Sequence, residues 1–284
     1  MKLKKLIYNV SLFAVGLTLA ACSDIAEDDR FEYVEPAEVA KRVLIEDFTG
    51  QRCLNCPKGA SVIEQIMEDY GEDNIIAVGL YGGDLGLPST NPLSLTCDES
   101  QWYYDYWGIV GQPSAKVDRG ETMQNPDIWP TVVREKIQQK APVLLEASCN
   151  YDEASRNVEI TVSADGLENI NGKLQVWLTE DNIVSVQMLP GNVVDQNYVH
   201  NHVFRATVNA QAGDDISIAQ GENVTRTFTY TVSEDWKPED MSVVTFVFND
   251  SGVLQAAKAP LIPKASDPET GGGDDTQGGN DAAE

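Results

Sequence analysis

Positive charge is scarce in this sequence. Lys and Arg number 20 against 45 Asp and Glu, so the formal net charge of the 284-residue chain is −25. A chain this acidic repels nucleic-acid phosphates and anionic lipid headgroups. The sequence also lacks a Gly-rich loop of the kind that cradles phosphate groups. We therefore expect no nucleic-acid partner and no phosphate-binding role.

Residues that bind metals or catalyse hydrolysis are also few. The chain has two histidines, His200 and His202, and five cysteines. Two histidines at i and i+2 on a strand share a face, so they could form half of a metal site, although hydrogen bonding is their commoner role. A structural zinc site needs four ligands, whereas one CxxC motif supplies two. No Ser-His-Asp constellation can be placed. We expect neither a metal nor another cofactor.

No apolar run is long enough to span a bilayer, including the N-terminal one at residues 6–19. That run follows three lysines and ends in Ala20-Ala21-Cys22, an arrangement typical of lipoprotein signal peptides. It predicts a signal peptide over residues 1–21 and lipidation of Cys22. The alternative is an ordinary secretory signal that ends beside a cysteine. Removal of residues 1–21 leaves 17 basic and 45 acidic residues, a formal charge of −28.

Acidic, polar segments flank the part of the chain that can fold. Residues 22–40 begin with "CSDIAEDDR" and are predicted to be a lipidated tether. Their acidic start resembles the export signal that sends Bacteroidetes lipoproteins to the outer face of the outer membrane. We expect a lipid-anchored protein of the outer membrane that faces the cell surface, with the periplasmic face as the alternative. Residues 265–284 have almost nothing to bury and predict a disordered Gly-rich tail.

The segment between these ends changes its pattern near Ala141-Pro142. Before that point strands alternate with helices: "RVLIEDF" and "NIIAVGLY" are typical of buried strands, and helical periodicity follows the CxxC motif. Thr96 is predicted to cap the aromatic helix "DESQWYYDYWGI", and Asn125 to cap a last helix that reaches Lys140. After that point we find seven alternating strands. They predict an antiparallel sandwich of the immunoglobulin-like class.

The CxxC motif consists of Cys53 and Cys56 in "EDFTGQRCLNCPKGA". A thiol at a helix N-terminus meets unpaired N–H groups and the positive end of the helix dipole, and Arg52 adds a neighbouring positive charge. These features lower a cysteine pKa from about 8.5 and favour the thiolate. We expect Cys53 to be the outer, nucleophilic thiol and Cys56 the less exposed, resolving thiol. The alternative is a static disulfide in an oxidising compartment.

This half of the chain resembles the thioredoxin superfamily, which has a buried strand, a CxxC that opens a helix and a later Gly-x-Pro before another strand. The resemblance implies that Cys53 and Cys56 are a redox pair and that Asp47 is a buried acid that accepts the proton of Cys56. It further implies that Pro113, in "GIVGQPSAKV", is a cis-proline beside the disulfide. Arg52 departs from the family, which has tryptophan there. The expected fold is an α/β thioredoxin-like domain (41–141) followed by an all-β immunoglobulin-like sandwich domain (142–264).

The mature chain also resembles the Bacteroidetes lipoproteins related to the 28-kilodalton outer membrane protein. Shared segments include "VHNHVFR" and "VVTFVFNDSGVLQA". Two functions remain open. One is thiol–disulfide exchange, as an oxidoreductase would perform it, with protein or peptide thiols and disulfides of the envelope or surface. The other is a surface binding or adhesion protein whose CxxC is a structural disulfide. Cys97 and Cys149 either pair with each other or are free and buried.

Overall fold

The computed structural model describes residues 40–263. The predicted signal peptide, Cys22, all but the last residue of the acidic tether and the C-terminal tail lie outside the described residues. Within residues 40–263, no helix is both long enough and apolar enough to cross a membrane.

Fourteen strands and three α-helices make up the described chain. In sequence order they are β1 (Val43–Thr49), α1 (Cys56–Tyr70), β2 (Ile75–Tyr81), α2 (Asp98–Trp107), β3 (Ser114–Val117), β4 (Thr122–Met123), α3 (Trp129–Ile137), β5 (Val143–Asp152), β6 (Asn157–Gly166), β7 (Ile170–Glu180), β8 (Ile183–Leu189), β9 (Val193–His200), β10 (Val203–Thr207), β11 (Asp214–Ile218), β12 (Asn223–Thr231), β13 (Met241–Asn249) and β14 (Gly252–Pro260). Short 3-10 turns at Pro126–Ile128 and Pro238–Asp240 precede α3 and β13.

One mixed sheet runs through both halves of the chain. Its order is β14-β13-β7-β10-β2-β1-β3-β4, and β11 pairs with β7 as a ninth strand. β10 joins the halves, since it lies parallel to β2 at Val203 and Gly79 and antiparallel to β7. The predicted fold class, an α/β thioredoxin-like domain followed by a separate immunoglobulin-like sandwich, is therefore wrong. The described chain is mostly β, and strand periodicity alone could not tell which strands are neighbours.

The sheet is covered on both sides. Strands β5, β6 and β12 form a separate three-stranded sheet, whose apolar face packs over β7, β11 and β13 in one core. Along β1, alternate side chains enter two further cores because successive residues of a strand point to opposite faces. Leu44 and Phe48 pack with Trp177 and Phe204 under α2. Val43 and Ile45 pack against α1 and α3.

Charged side chains are buried where the first and last strands meet. Lys41 pairs with Asp118 at 3.1 Å, and Arg119 pairs with Glu46 at 3.4 Å, with all four side chains no more than 4% exposed. Burial raises the pKa of Glu46 although Arg119 opposes the shift, and burial lowers the pKa of Lys41. Lys41 Nζ also donates to the Val253 carbonyl of β14 at 2.6 Å. The two ion pairs lie within the first half of the sequence, and the Lys41–Val253 hydrogen bond joins that half to the last strand.

Helix ends differ in detail from the sequence predictions. Cys97, one residue after the predicted Thr96, caps α2: its sulfur accepts from Ser100 N–H, and Ser100 Oγ accepts from Cys97 N–H. Asn125 caps the 3-10 turn that precedes α3 rather than α3 itself, and α3 ends at Ile137 rather than Lys140. Strands β4, β8, β9 and β11 were not predicted. Of the aromatic residues of α2, Tyr103 and Tyr104 are buried in the core, whereas Tyr106 is 54% exposed.

The shared sheet leads to a test of the domain boundary. The pattern change at residues 141 and 142 predicts that residues 41–141 fold alone, whereas the continuous sheet predicts that they do not. We expect the isolated fragment 41–141 to show no cooperative thermal transition, because Leu44 and Phe48 lose their packing against Trp177 and Phe204. Circular dichroism during heating measures this, with residues 40–263 as the control. A cooperative melt of the fragment with mixed α/β dichroism would support a domain boundary at residues 141 and 142.

Candidate functional site

The two cysteines of the CxxC motif form a disulfide at the start of α1. The Cys53–Cys56 bond has an S–S length of 2.10 Å and a Cα–Cα distance of 5.4 Å. α1 begins at Cys56, and Pro57 lies in its first turn, where the missing proline N–H would have had no helical partner. The prediction that a helix starts at the cysteines is confirmed. Both sulfurs lie in the segment that joins β1 to the N-terminus of α1.

Both cysteines are buried. Cys53 is 1% exposed and Cys56 is 3% exposed, so the expectation that Cys53 is the more exposed thiol is wrong. The guanidinium of Arg52 does not cover a sulfur but donates to the carbonyl oxygens of Asp84 and Gly86 in the loop after β2. Segments that are distant in sequence enclose the disulfide, and local sequence could not predict this.

The hairpin of β8 and β9, which forms a two-stranded sheet of its own, contacts the CxxC loop. Gln187 Nε2 donates to the carbonyl oxygen of Cys53 at 3.0 Å and to that of Gly50 at 3.3 Å. The backbone N–H of Met188 donates to the Gln51 carbonyl at 2.8 Å. The hairpin is thus hydrogen-bonded to the backbone on the N-terminal side of the disulfide.

Gln51 connects three segments around the same loop. It is 1% exposed, and its Nε2 donates to the Leu93 carbonyl at 2.7 Å and lies 3.1 Å from Ser185 Oγ. Its Oε1 accepts from Leu95 N–H at 2.9 Å, and Ser185 Oγ donates to the same Leu93 carbonyl at 2.8 Å. The CxxC loop, the Gly- and Pro-rich loop after β2 and the hairpin therefore meet at one buried amide.

A cavity of about 50 Å³ lies beside the disulfide, between α1 and the hairpin, and is lined by Cys56, Asp47, Tyr81, Gln187, Tyr198 and His200 among others. Burial raises the pKa of Asp47 to about 7, and its Oδ1 has no hydrogen-bond partner among the described residues. His200 Nδ1 is 2.8 Å from the Tyr81 hydroxyl. Burial lowers the pKa of His200 to about 4, so this imidazole is neutral at pH 7. With its pKa near 7, the Asp47 carboxyl can exchange a proton near neutrality.

The two histidines do not form a pair on one strand face. His200 is the last residue of β9, and His202 lies in the following turn with a φ of 56°. His202 Nδ1 contacts Asp181 Oδ1 at 3.0 Å. Burial alone would raise the pKa of Asp181, but hydrogen bonds from His202 and the charge of Lys258 hold it below its usual range. Over residues 40–263, no three His, Cys, Asp or Glu side chains cluster as metal ligands would.

Pro113 lies beside α1, and the Gln112–Pro113 peptide bond is cis. A Cβ placed on Gly59 would be 3.4 Å from the Pro113 Cβ, so the proline packs against the helix that Cys56 opens. It also lines a groove with Asn55 and Lys58. The structure thus brings Asp47, Cys53, Cys56 and Pro113 into one region around the start of α1.

Cys97 and Cys149 are both free thiols. Burial raises the pKa of the Cys97 thiol, and it raises that of Cys149 to about 11. Neither thiol is activated as a nucleophile. The sequence left open whether these two cysteines pair with each other, and in the structure they do not.

Three residues near the disulfide were not predicted from sequence: Gln187 and Tyr198, which line the cavity beside Cys56, and the buried Gln51. A signal for the hairpin was present, since "IVSVQML" and "VVDQNYVH" flank Pro190-Gly191-Asn192 and turn residues between apolar runs indicate a hairpin. Nothing in that signal indicates where the hairpin docks. Gln51 has no sequence signature, because a buried glutamine is recognised only by its partners.

HBP35 of Porphyromonas gingivalis is similar to this chain, with a TM-score of 0.64 and 17% identity over 82% of each chain. This likeness concerns the fold alone. A domain of the outer membrane lipoprotein Omp28 from the same organism matches at a TM-score of 0.32 and 21% identity, over 45% of this chain and 93% of that one. R. palustris CsgH matches at a TM-score of 0.23 and 8% identity, over 42% and 92%. The TM-scores of the last two matches are too low to support a conclusion about the fold of this chain. No curated protein sequence matches the chain.

The family described as outer membrane protein Omp28 matches residues 100–264, which is more than half of the 284 residues. The match runs from α2 to just after β14, so Cys53 and Cys56 lie outside it. It covers the strands that were predicted from the second half of the sequence. It also confirms the predicted location at the outer membrane and the resemblance to the 28-kilodalton protein. The chain belongs to the Omp28 family of outer membrane proteins.

Proposed function

We propose that this protein is anchored to the outer membrane by lipid on Cys22 and exchanges thiols and disulfides with envelope or surface proteins through Cys53 and Cys56. The observation that carries the proposal is the Cys53–Cys56 disulfide at the N-terminus of α1, which shares a cavity with the buried carboxyl of Asp47. The helix N-terminus favours a thiolate through its unpaired N–H groups and dipole. The thioredoxin resemblance supports the proposal through these local residues, although the fold class differs.

The exchange proceeds through a mixed disulfide. A client thiolate attacks the sulfur of Cys53, the Cys53–Cys56 bond breaks, and Cys56 leaves as a thiolate. A second client thiolate then attacks the client sulfur of the mixed disulfide and releases Cys53. Two electrons pass from the client dithiol, which becomes a disulfide, to the protein, and two protons are taken up by its thiols. The same steps in reverse oxidise the protein pair with a client disulfide.

Asp47 supplies or accepts the proton at Cys56. Both residues line the same cavity, and the raised pKa of Asp47, about 7, allows it to hold a proton at neutral pH. It protonates the Cys56 thiolate when Cys53 enters a mixed disulfide. In the reverse direction it takes the proton as Cys56 attacks. Such a group acts best when its pKa lies near the working pH. Pro113 packs beside the start of α1 and borders the groove along which a client chain would approach.

The second candidate is a non-catalytic surface binding protein whose disulfide is structural. The burial of both cysteines, at 1% and 3% exposure, favours it, as does the hydrogen bond from Gln187 to the Cys53 carbonyl. A structural disulfide resists reduction and has a potential below about −300 mV, whereas exchanging pairs lie above. The reduction potential of the pair therefore separates the two functions.

The exchange proposal predicts which cysteine retains a client. Cys56→Ser removes the resolving thiol, so Cys53 should trap mixed disulfides with envelope proteins, visible on non-reducing gels and identifiable by mass spectrometry. Cys53→Ser should trap none. The double variant Cys53→Ser/Cys56→Ser is the control for trapping by Cys97 and Cys149. Two outcomes would reject exchange in favour of a structural disulfide. One is equal trapping by all three variants, and the other is the absence of trapped clients together with a reduction potential of the pair below about −300 mV.

The raised pKa of Asp47 predicts a pH dependence of stability. Between about pH 4 and pH 7 the folded protein keeps a proton on Asp47 that the unfolded chain has released, so its contribution to stability falls as pH rises through that window. Asp47→Asn cannot ionise. From pH 4 to pH 8, the free energy of unfolding of the variant relative to wild type should rise by about 2–4 kcal/mol. Urea denaturation at both pH values measures this, and parallel pH profiles would contradict it.

The lipid anchor is tested at Cys22, which lies outside the described residues. Cys22→Ser should remain unacylated and appear in the soluble fraction, because the thiol that would carry the lipid is absent. Fractionation of membranes and mass spectrometry of the N-terminal peptide provide the measurements. Ser23→Ala is the matched control and should stay acylated. Membrane retention and acylation of the Cys22→Ser protein would refute the anchor.

A further inference from the structure

We propose that the β8–β9 hairpin is a movable cover over the Cys53–Cys56 disulfide and that Gln187 is the positioning residue that keeps it closed. The inference deepens the proposed function and rests on it for its biological purpose. Its physical content, control of access to the sulfurs, can be tested separately. Nothing in the sequence of the CxxC segment indicates such a cover.

The hairpin can move as a unit. Its strands pair only with each other within the described chain. Two-residue connections join it to β7 and β10, at 181–182 and 201–202. Asn182 has a φ of 59° and His202 a φ of 56°, so each connection contains one residue with left-handed backbone. Short segments at element ends are where hinges absorb changes in φ and ψ.

The base of the hairpin is fixed, while its tip half is held by polar contacts. Ile183 packs against the small cluster of Tyr81, Leu95 and Val203, and the base also carries the contact between Asp181 and His202. Further along, the face toward the disulfide presents Ser185 and Gln187, whose contacts with the CxxC loop are hydrogen bonds. Water can replace such bonds when the hairpin lifts, so opening does not require exposure of a large apolar core.

The opposite face of the hairpin is apolar and exposed. Val184 and Val199, a directly opposed cross-strand pair, are 59% and 49% exposed, and Val194 is 46% exposed. A hairpin placed only to complete the core would bury these valines and expose its polar residues. Here the orientation is reversed: glutamine and serine are buried over the disulfide. The inward face is thus suited to hold the CxxC loop.

Gln187 is the central contact. Its Nε2 reaches the carbonyl oxygens of Gly50 and Cys53, and the next residue, Met188, donates its N–H to Gln51. Removal of the Gln187 amide leaves the Cys53 carbonyl without this donor. Opening at this point uncovers the 1%-exposed Cys53, the sulfur that a client must attack.

The test is the rate at which dithiothreitol reduces the oxidised full-length protein. One dithiothreitol thiolate attacks a protein sulfur, the second closes the reagent into its cyclic disulfide, and both protein thiols are released. Gln187→Ala should be reduced at least about tenfold faster than wild type, because it loses the hydrogen bonds to Gly50 and Cys53 and a net loss of one buried hydrogen bond corresponds to about that factor. Gln196→Ala, an exposed glutamine on the same hairpin, is the matched control and should react at the wild-type rate.

Amide hydrogen exchange distinguishes local opening from general destabilisation. In Gln187→Ala the Met188 amide should exchange faster while amides of β7 and β13 keep wild-type protection. Reduction at the wild-type rate, or equal acceleration of the core amides, overturns the cover. If Gln187→Ala does not fold, Ser185→Ala takes its place, because it removes the hydroxyl between Gln51 and Leu93. It should then show faster reduction and faster exchange of the Met188 amide, with wild-type protection of the β7 and β13 amides.

The outcome is independent of the trapping experiment. Faster reduction of Gln187→Ala, with no trapped clients in Cys56→Ser and a potential below about −300 mV, supports a cover over a structural disulfide and rejects exchange. Trapped clients with an unchanged reduction rate support exchange and reject the cover.

Discussion

The contact between β2 and β10 is the constraint on which the rest of the structure depends. It is short: Val203 lies opposite Gly79, and the Gly79 N–H donates to the His202 carbonyl at 2.7 Å. It nonetheless makes one sheet out of two halves that differ in sequence pattern. Because β9 comes directly before β10, the same contact brings the hairpin over the loop after β1. The hairpin therefore reaches the CxxC loop through the complete sheet.

The local parts of this arrangement could be predicted from sequence, and the long-range parts could not. Apolar runs, helical spacing and the CxxC motif were enough to place β1, β2 and α1. The capping residue of α2 was missed by one position, since Cys97 rather than Thr96 bonds Ser100. Sheet order and the exposure of Cys53 depend on Val203 and Gln187, which are more than 130 residues away in the chain. No pattern near residue 53 carries that information.

Two of the scarce cations of this acidic chain, Lys41 and Arg119, are buried in its interior. Lys41 and Arg119 neutralise Asp118 and Glu46 at the meeting of β1, β3 and β14, and the Arg119 guanidinium lies 3.9 Å from the centre of the Phe248 ring. Breaking a buried pair leaves an uncompensated charge, which costs several kcal/mol, about 3–5. The surface carries the acidic excess, while the fold depends on a few paired positive charges inside.

Burial of both sulfurs separates two properties of the disulfide. The equilibrium between disulfide and dithiol follows from the relative free energies of the two forms, to which Leu54, Asn55 and Asp47 are local contributors. The time needed to reach that equilibrium depends on how often an attacking thiolate can touch Cys53, and the contacts around Gln187 set that frequency. Since these residues lie in distant parts of the chain, substitutions in the hairpin can tune response time while the redox potential stays the same.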